Sequence, residues 1–320
     1  MSRKKIVVLR GGPSSEFDVS LKTGKSVIDH LREDHEITDV VIDKNGCWFC
    51  GGIEKQPNEV VRGKDLVFNA MHGEYGEDGT VQELLENLGV NFTGPKKFGA
   101  VISINKPKTK DIYKNLGFKT PHSTVLINDR PIDEIAFDLF RTFPMPVIIK
   151  PINKGSSIGI SIARDFQSLV DTLTSLFEYS DKLLVEEYIS GKEATVGVID
   201  DFRGQRHYAL LPVEIRPPKD KEFFDNTCKY DGSTDEICPG NFKINESKEM
   251  QEIARAVHEA LGLRHYSRTD FIVHPRRGVF ILETNSLPGL TNESLMPKGL
   301  EPIGSNYKEF LEHIIDIATK

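Results

Sequence analysis

Cysteine is scarce in this chain, four among 320 residues, and that density does not suggest a disulfide scaffold. Cys47 and Cys50 form a CxxC, yet Asn45-Gly46 just before them reads as a hairpin turn entering a strand over 47–50. No second pair accompanies it, and Cys228 and Cys238 lie too far apart for a zinc knuckle, so all four read as packing or surface residues. Long apolar runs are also missing. No stretch approaches the roughly 18 apolar residues of a membrane span, and the run Ile6 to Leu9 is too short for a signal-peptide core. A cytoplasmic protein without membrane contact is expected. Nor is there an excess of positive charge: 41 Lys and Arg stand against 48 Asp and Glu, a net −7. Nucleic acid is therefore not an expected partner, although a few local cations can still hold a small anion. There is no internal repeat, and the N-x-[ST] matches at Asn91, Asn245 and Asn292 are chance hits in a chain with no secretion signal.

With 38% hydrophobic and 28% charged residues, the composition is that of an ordinary folded protein, and the length suits two or three domains of roughly 100 residues each. The first hundred residues alternate strand-like runs (Ile6 to Leu9, Ile37 to Ile42, Asp65 to Ala70) with helical spacing (Val19 to Leu31; Val81, Leu84, Leu85, Leu88, stopped by Gly89), which predicts an α/β layer with a mainly parallel sheet. From Lys106 to Ile189 a smaller α+β unit follows, with strands at Pro146 to Lys150, Ile158 to Ile162 and Lys182 to Glu187 and a helix near Ser168 to Phe177. Beyond Gly191 come longer strands, a polar loop from about Pro217 to Phe242, a helix presenting Ile253, Ala256, Val257 and Ala260, a hairpin, and a closing helix carrying Phe310, Leu311, Ile314 and Ile315.

Three stretches carry chemistry. In SRTDFIVHPRRGVFILETNS, 267–286, the simplest hairpin centres between Arg276 and Arg277, which sets Asp270 opposite Glu283 and Arg268 opposite Asn285, all four on one face. Two opposed carboxylates repel unless a cation sits between them, and Asp, Glu and Asn offer the oxygen donors that Mg²⁺ prefers, with nucleotide phosphates completing its sphere. The alternative is a solvated hairpin face with Arg268 neutralising the acids. KPINKGSSIG, 150–159, follows a β run and resembles a phosphate lid, although it lacks Walker A spacing and a plain β-turn would also account for it. Lys150, at the end of an apolar strand, needs an anionic partner if buried. HGEYGEDG, 72–79, lies where α/β proteins place ligands, or is a glycine-rich connection capped by Asp78 or Thr80.

Together with GGPSSEFDVS (11–20), EEYISGKEATVG (186–197), CKYDGSTDEICP (228–239) and ETNSLPGLTNESLMP (283–297), these segments resemble the D-alanine:D-alanine ligases of the ATP-grasp superfamily over nearly the whole chain. The resemblance implies an α/β (α+β) fold of three domains: a Rossmann-like parallel-sheet domain over 1–104, a central ATP-grasp unit over 105–189, and a C-terminal unit over 190–320 with a mobile loop at about 217–242. It implies ATP as a substrate and two Mg²⁺ ions, with Mn²⁺ an acceptable substitute, held by Asp270, Glu283 and Asn285. Lys106, Lys150, Ser157 and Lys229 would meet the phosphates, Glu186, Glu187, Tyr188 and Ile189 the adenine, and Glu193 the ribose. Glu16 would receive the first D-alanine's ammonium in a set with Ser156 and Tyr230, with His72 nearby. Arg268 and the Gly289 N–H would stabilise the oxyanion, and Ser294 and Leu295 the second carboxylate. A homodimer is implied as well.

Two departures from the family pattern stand out. Asn105 precedes Lys106 where an aspartate is usual, and Glu187 replaces a lysine found in some relatives. Tyr230 points to a dipeptide rather than a depsipeptide product. The rival readings are another ATP-grasp carboxylate:amine ligase or a nucleotide-binding regulator without turnover, against which the joint presence of Arg268 and the three metal ligands speaks.

Overall fold

The computed structural model describes residues 3–152, 159–218, 234–291 and 293–320. Its strands form three sheets that follow one another along the chain. The first contains β1 (Lys5–Gly11), β2 (Glu36–Ile42), β3 (Trp48–Cys50), β4 (Ile53–Glu54) and β5 (Leu66–Asn69) in the order β4-β3-β2-β1-β5. Strands β2, β1 and β5 are parallel, as the alternation of strands and helices predicts, while β3 and β4 add an antiparallel edge beyond β2. Strand β1 is buried on both faces, which its unbroken Ile6-Val7-Val8-Leu9 run requires. Helices α1 (Phe17–Leu31), α2 (Pro57–Val61) and α3 (Thr80–Asn87) belong to this unit, followed by α4 (Lys97–Ile104) and α5 (Lys106–Asn115). Asp78, just ahead of α3, accepts the N–H groups of Tyr75 and Thr80.

The second sheet is antiparallel, β6 (Ser123–Ile127), β7 (Val147–Pro151), β8 (Ser161–Ala163) and β9 (Lys182–Glu187) in the order β6-β9-β7-β8. Its core packs α6 (Ile132–Thr142) and α7 (Phe166–Phe177) through Leu139, Leu169 and Leu173. Strand β8 starts later than the expected Ile158: Gly159 has φ +74, a left-handed turn conformation that no strand continues through. Ile158 itself lies outside the described residues.

The third sheet holds β10 (Lys192–Phe202), β11 (Gln205–Ala209), β12 (Val213–Arg216), β13 (Asp235–Ile237), β14 (Tyr266–His274) and β15 (Gly278–Asn285). Its order is β13-β12-β10-β14-β15, with β11 also on β10. The polar stretch 217–242 is thus not loop throughout, since β13 pairs with β12 inside it. Helix α8 (Ile244–Ala260) covers one face with Met250, Ile253, Ala254, Val257 and His258; Ala256 and Ala260, expected on that face, are half-buried and exposed. After α9 (Leu295–Lys298), helix α10 (Tyr307–Ala318) brings Phe310, Leu311, Ile314 and Ile315 into a core shared with Ile6, Val8 and Phe68 of the first sheet. This packing joins the first and third units through one core. No helix among the described residues is long and apolar enough to cross a membrane.

Candidate active site

The acidic hairpin has the expected pairing by an unexpected route. Arg268 faces Asn285 and Asp270 faces Glu283, but His274 pairs with Gly278, so Pro275, Arg276 and Arg277 form a three-residue turn rather than one centred between the arginines. Gly278, at φ +83, supplies the left-handed conformation such a turn needs, and the His274 imidazole accepts the N–H groups of Arg276 and Arg277. Left alone, that turn would offset the acids by one residue. A β-bulge at Leu282 restores the register, because Phe271 pairs with Ile281 while Asp270 pairs with Glu283. Leu282 and Glu283 consequently line the same cavity.

Charge compensation divides the two acids. Asp270 receives Arg268 Nε and Nη2 in a two-pronged contact, both 2.9 Å, the Asn285 amide at 2.9 Å and the Thr195 hydroxyl at 2.5 Å. Arg268 therefore neutralises Asp270 in part, as the alternative for a plain hairpin face supposed. Glu283 instead lies in the field of Lys106 and Lys150. Three oxygen-bearing side chains on one face, beside this cationic surface, fit a hard divalent ion.

Those lysines converge from two elements. Lys150, at the end of β7, is 6% exposed and its Nζ lies 2.8 Å from Glu186 on the neighbouring β9. Lys110, 2% exposed, meets the other Glu186 oxygen at 2.5 Å, an ion pair without hydrogen-bond alignment, and donates to Thr120. Lys106 and Lys110 are one helical turn apart on α5. The same face continues to Tyr113, whose hydroxyl donates to Thr284 on β15 and so fastens the helix under the acidic hairpin. At the start of α5 the Asn105 carboxamide oxygen accepts the Lys108 N–H at 3.1 Å, so an amide caps the helix where an aspartate is usual. Burial alone would raise the Glu186 pKa, but Lys110 and Lys150 hold it at about 2. Burial pushes Lys106 and Lys110 down, whereas at Lys150 the charges of Glu186 and Glu283 outweigh burial and raise it. Three lysines against two carboxylates leave a surplus of positive charge that suits an anionic ligand.

Between the second and third sheets lies a cavity of about 300 Å³. Lys150, Glu186, Glu187, Tyr188, Ile189 and Glu193 line it, and Arg268, Asp270, Glu283 and Leu295 close it from the hairpin side. Ile148, Ile160, Ile215 and Ile272 give apolar walls suited to a planar base. Gly191 is required at the floor, since a Cβ there would stand 2.5 Å from the Val273 carbonyl oxygen. The Glu187 and Tyr188 N–H groups donate to the His122 and Pro146 carbonyls. The Glu187 carboxylate pairs with the Arg277 guanidinium in the hairpin turn, which lowers its pKa and ties the second sheet to the third.

A polar corner adjoins this cavity's charged end. Gly73 lets the 72–79 loop close onto the Gly-rich segment after β1, where a Cβ would collide with Ser14 Oγ and come 3.3 Å from Glu16 Oε1. His72 is buried, with Nδ1 donating to the Leu287 carbonyl at 3.1 Å and Nε2 sharing a hydrogen bond with Thr23 at 2.8 Å. Burial would lower its pKa, but Glu77, 3.4 Å from Nδ1, and the charge of Glu16 outweigh burial and raise it. Gly289 approaches Ser294, which stands at the N-cap position of α9 and accepts the Thr291 N–H rather than one from the helix.

Ser156, Ser157, Lys229 and Tyr230 lie outside the described residues. Sequence reasoning missed Lys110, Thr195 and Glu77. The spacing of Lys110 from Lys106 was a usable signal; nothing local marked Thr195, which reaches Asp270 only because β10 pairs with β14.

Comparison with known proteins gives consistent matches. Residues 112–316 match the model of the D-ala D-ala ligase C-terminus, and 5–64 and 51–95 that of the N-terminus. The chain is 36% identical to the D-alanine--D-alanine ligase of Aquifex aeolicus over 97% of its own length and 99% of the relative's, and 34% identical to that of Clostridium botulinum strain Eklund 17B over 99% of both. Among solved structures, the VanG D-Ala:D-Ser ligase of Enterococcus faecalis superposes with a TM-score of 0.84 at 26% identity, covering 99% of this chain and 100% of that one. The Bacillus anthracis D-alanine--D-alanine ligase complexed with ATP gives 0.80 at 28%, covering 98% and 97%.

Proposed function

The chain belongs to the D-alanine–D-alanine ligase family, and from that membership and the geometry above we propose that it joins two D-alanines at the expense of ATP, through a D-alanyl phosphate, for peptidoglycan precursor synthesis. The observation that carries this most strongly is the convergence of Lys150, Glu186, Asp270 and Glu283 on one cavity, with Lys106, Lys110 and Asn285 set against them. A carboxylate is a poor electrophile, and phosphorylation gives it a leaving group. The adenine packs between the isoleucine walls with its edge against the Ile189 backbone, and Glu193 takes the ribose hydroxyls. Lys106 and Lys150, joined by Ser157 and Lys229, hold the phosphates in line for transfer. Asp270, Glu283 and Asn285 would hold Mg²⁺, which when bound would offset the phosphate charge and polarise the transferring phosphoryl group.

Glu16, with Ser156 and Tyr230, fixes the ammonium of the first D-alanine, and His72 orients it. Its carboxylate oxygen attacks the γ-phosphorus and ADP leaves. The free amine of the second D-alanine, its carboxylate held at Ser294 and Leu295, then attacks the acyl carbon. Arg268 and the Gly289 N–H receive the oxyanion, and phosphate departs as the peptide bond forms. Exclusion of water from the site protects the acyl phosphate from hydrolysis. The chain divides into units over 1–104, 105–189 and 190–320. It acts in the cytoplasm as a homodimer, for which the exposed Phe98 and Val101 on α4 offer an apolar strip.

A phosphate-release assay with D-alanine, D-serine and D-lactate as second substrates tests the assignment. D-alanine is expected to support turnover best at neutral pH; preference for D-lactate would overturn the dipeptide assignment and the role given to Tyr230.

A further inference from the structure

Beyond the cavity, near the end of β10, four of the chain's nine histidines gather around Asp200. His207 on β11 is its direct cross-strand partner, with Nδ1 2.7 Å from Asp200 Oδ1. His258, wholly buried on α8, places Nε2 3.0 Å from the same oxygen. The other Asp200 oxygen accepts the His265 backbone N–H at 2.6 Å, and the Asp200 carbonyl meets His313 Nε2 at 2.7 Å. The ligand atoms offered by Asp200, His207 and His258 lie within 4.8 Å of one another.

A hydrogen-bond network would leave no nitrogen at its centre without a partner, and here one is left. Nε2 of His258 has the length of a hydrogen bond to Asp200 but not its direction, so this buried atom, which faces the cluster, has no hydrogen-bond partner; the unpartnered Nε2 of His207 is the ring nitrogen turned away from Asp200 and plays no part in the site. An unsatisfied buried polar atom is costly in a native interior. The outer nitrogen of His258 is bonded to the buried Ser267 hydroxyl at 2.7 Å, the kind of contact that orients a metal-bound imidazole. Four-coordinate zinc with bonds near 2.0–2.1 Å separates its ligands by about 3.3 Å. The present 2.7 and 3.0 Å contacts need only a few tenths of an ångström of opening. His207 and Asp200 keep 16% and 15% side-chain exposure, which gives an ion a way in.

We propose that Asp200, His207 and His258 form a second divalent-metal site, separate from the acidic hairpin, that takes a borderline cation of the Zn²⁺ class and clamps α8 to the β10–β11 hairpin. The donor set decides the class. Two imidazoles and one carboxylate favour zinc-like ions over Mg²⁺, whereas the oxygen donors of Asp270, Glu283 and Asn285 favour Mg²⁺. Neither substrate touches this cluster in the mechanism above, so its failure would leave the ligase assignment intact.

The test is a Zn²⁺ titration of the full chain held in ADP and excess Mg²⁺, followed by calorimetry and, with Co²⁺ as a spectroscopic substitute, by visible absorption. One equivalent of Zn²⁺ binding that Mg²⁺ does not displace is expected, together with the strong d–d bands of a low-coordinate nitrogen site. His207→Ala should weaken Zn²⁺ at least tenfold and abolish those bands while Mg²⁺-dependent turnover persists. His207→Gln, which keeps bulk and a donor toward Asp200, should do the same and covers the case of an unstable alanine variant. Absence of Zn²⁺ binding above the Mg²⁺ background, retention of tight binding in both variants, or its loss on Cys47→Ser would overturn the proposal.

Discussion

Replacing Glu186 by glutamine removes the carboxylate that Lys110 and Lys150 share while keeping its shape. The wild-type group sits between ammonium nitrogens at 2.5 and 2.8 Å and is almost fully buried. Leaving two buried cations with a neutral amide should cost roughly 3–5 kcal/mol of stability, the range for breaking a buried ion pair. The pKa gives a second figure. Its value drops from 4.5 for the free side chain to about 2 in the fold, a difference worth about 3 kcal/mol. Because the folded pKa is depressed, this stabilisation is complete above pH 4.5 and is lost as pH falls toward 2. Less than half of it remains at about pH 3. Urea unfolding of wild type and Glu186→Gln at a series of pH values reads both effects. The gap should be widest at neutral pH and narrow steadily into acid; a gap under about 0.5 kcal/mol at pH 7, or one independent of pH, would refute the ion-pair reasoning.

Asp270→Asn and Glu283→Gln should each lower kcat by about a hundredfold or more, with a raised Mg²⁺ requirement seen in metal titrations of ADP release. Gly191→Ala should destabilise the chain by about 1–3 kcal/mol in chemical unfolding and raise the KM for ATP, because the new methyl would stand 2.5 Å from the Val273 carbonyl oxygen, which is backbone, as well as 2.7 Å from Ile272 Cγ2. Glu77→Gln should lower the His72 pKa, read by NMR titration of the imidazole, since burial is then opposed mainly by Glu16; a pKa that stays raised would dissociate Glu77 from His72.

The hairpin shows what a sequence holds and what it withholds. Alternation along β14 and β15 was enough to put Arg268, Asp270, Glu283 and Asn285 on one face, but the turn and the Leu282 bulge were invisible, because a three-residue turn plus one extra residue gives the same pairing as a two-residue turn. Lys150 was legible through the apolar strand that precedes it. Lys110 was legible only in part: its spacing puts it on one face with Lys106, but α5 also carries Lys108 and Lys114, and packing against β9 decides which of them is buried. His72 gains meaning from Thr23 and Leu287, which are far away in sequence. The cluster around Asp200 was unreadable for the same reason, since β11 and α8 meet there only in the folded chain.

The most direct measurement of the central claim is an oxygen-transfer experiment. D-alanine carrying ¹⁸O in its carboxylate is turned over with ATP, and the released phosphate is examined by mass spectrometry or ³¹P NMR. Attack by the carboxylate on the γ-phosphorus predicts one ¹⁸O in each phosphate released and ADP as the nucleotide product. Unlabelled phosphate, or label appearing in AMP, would contradict activation as an acyl phosphate at this cavity.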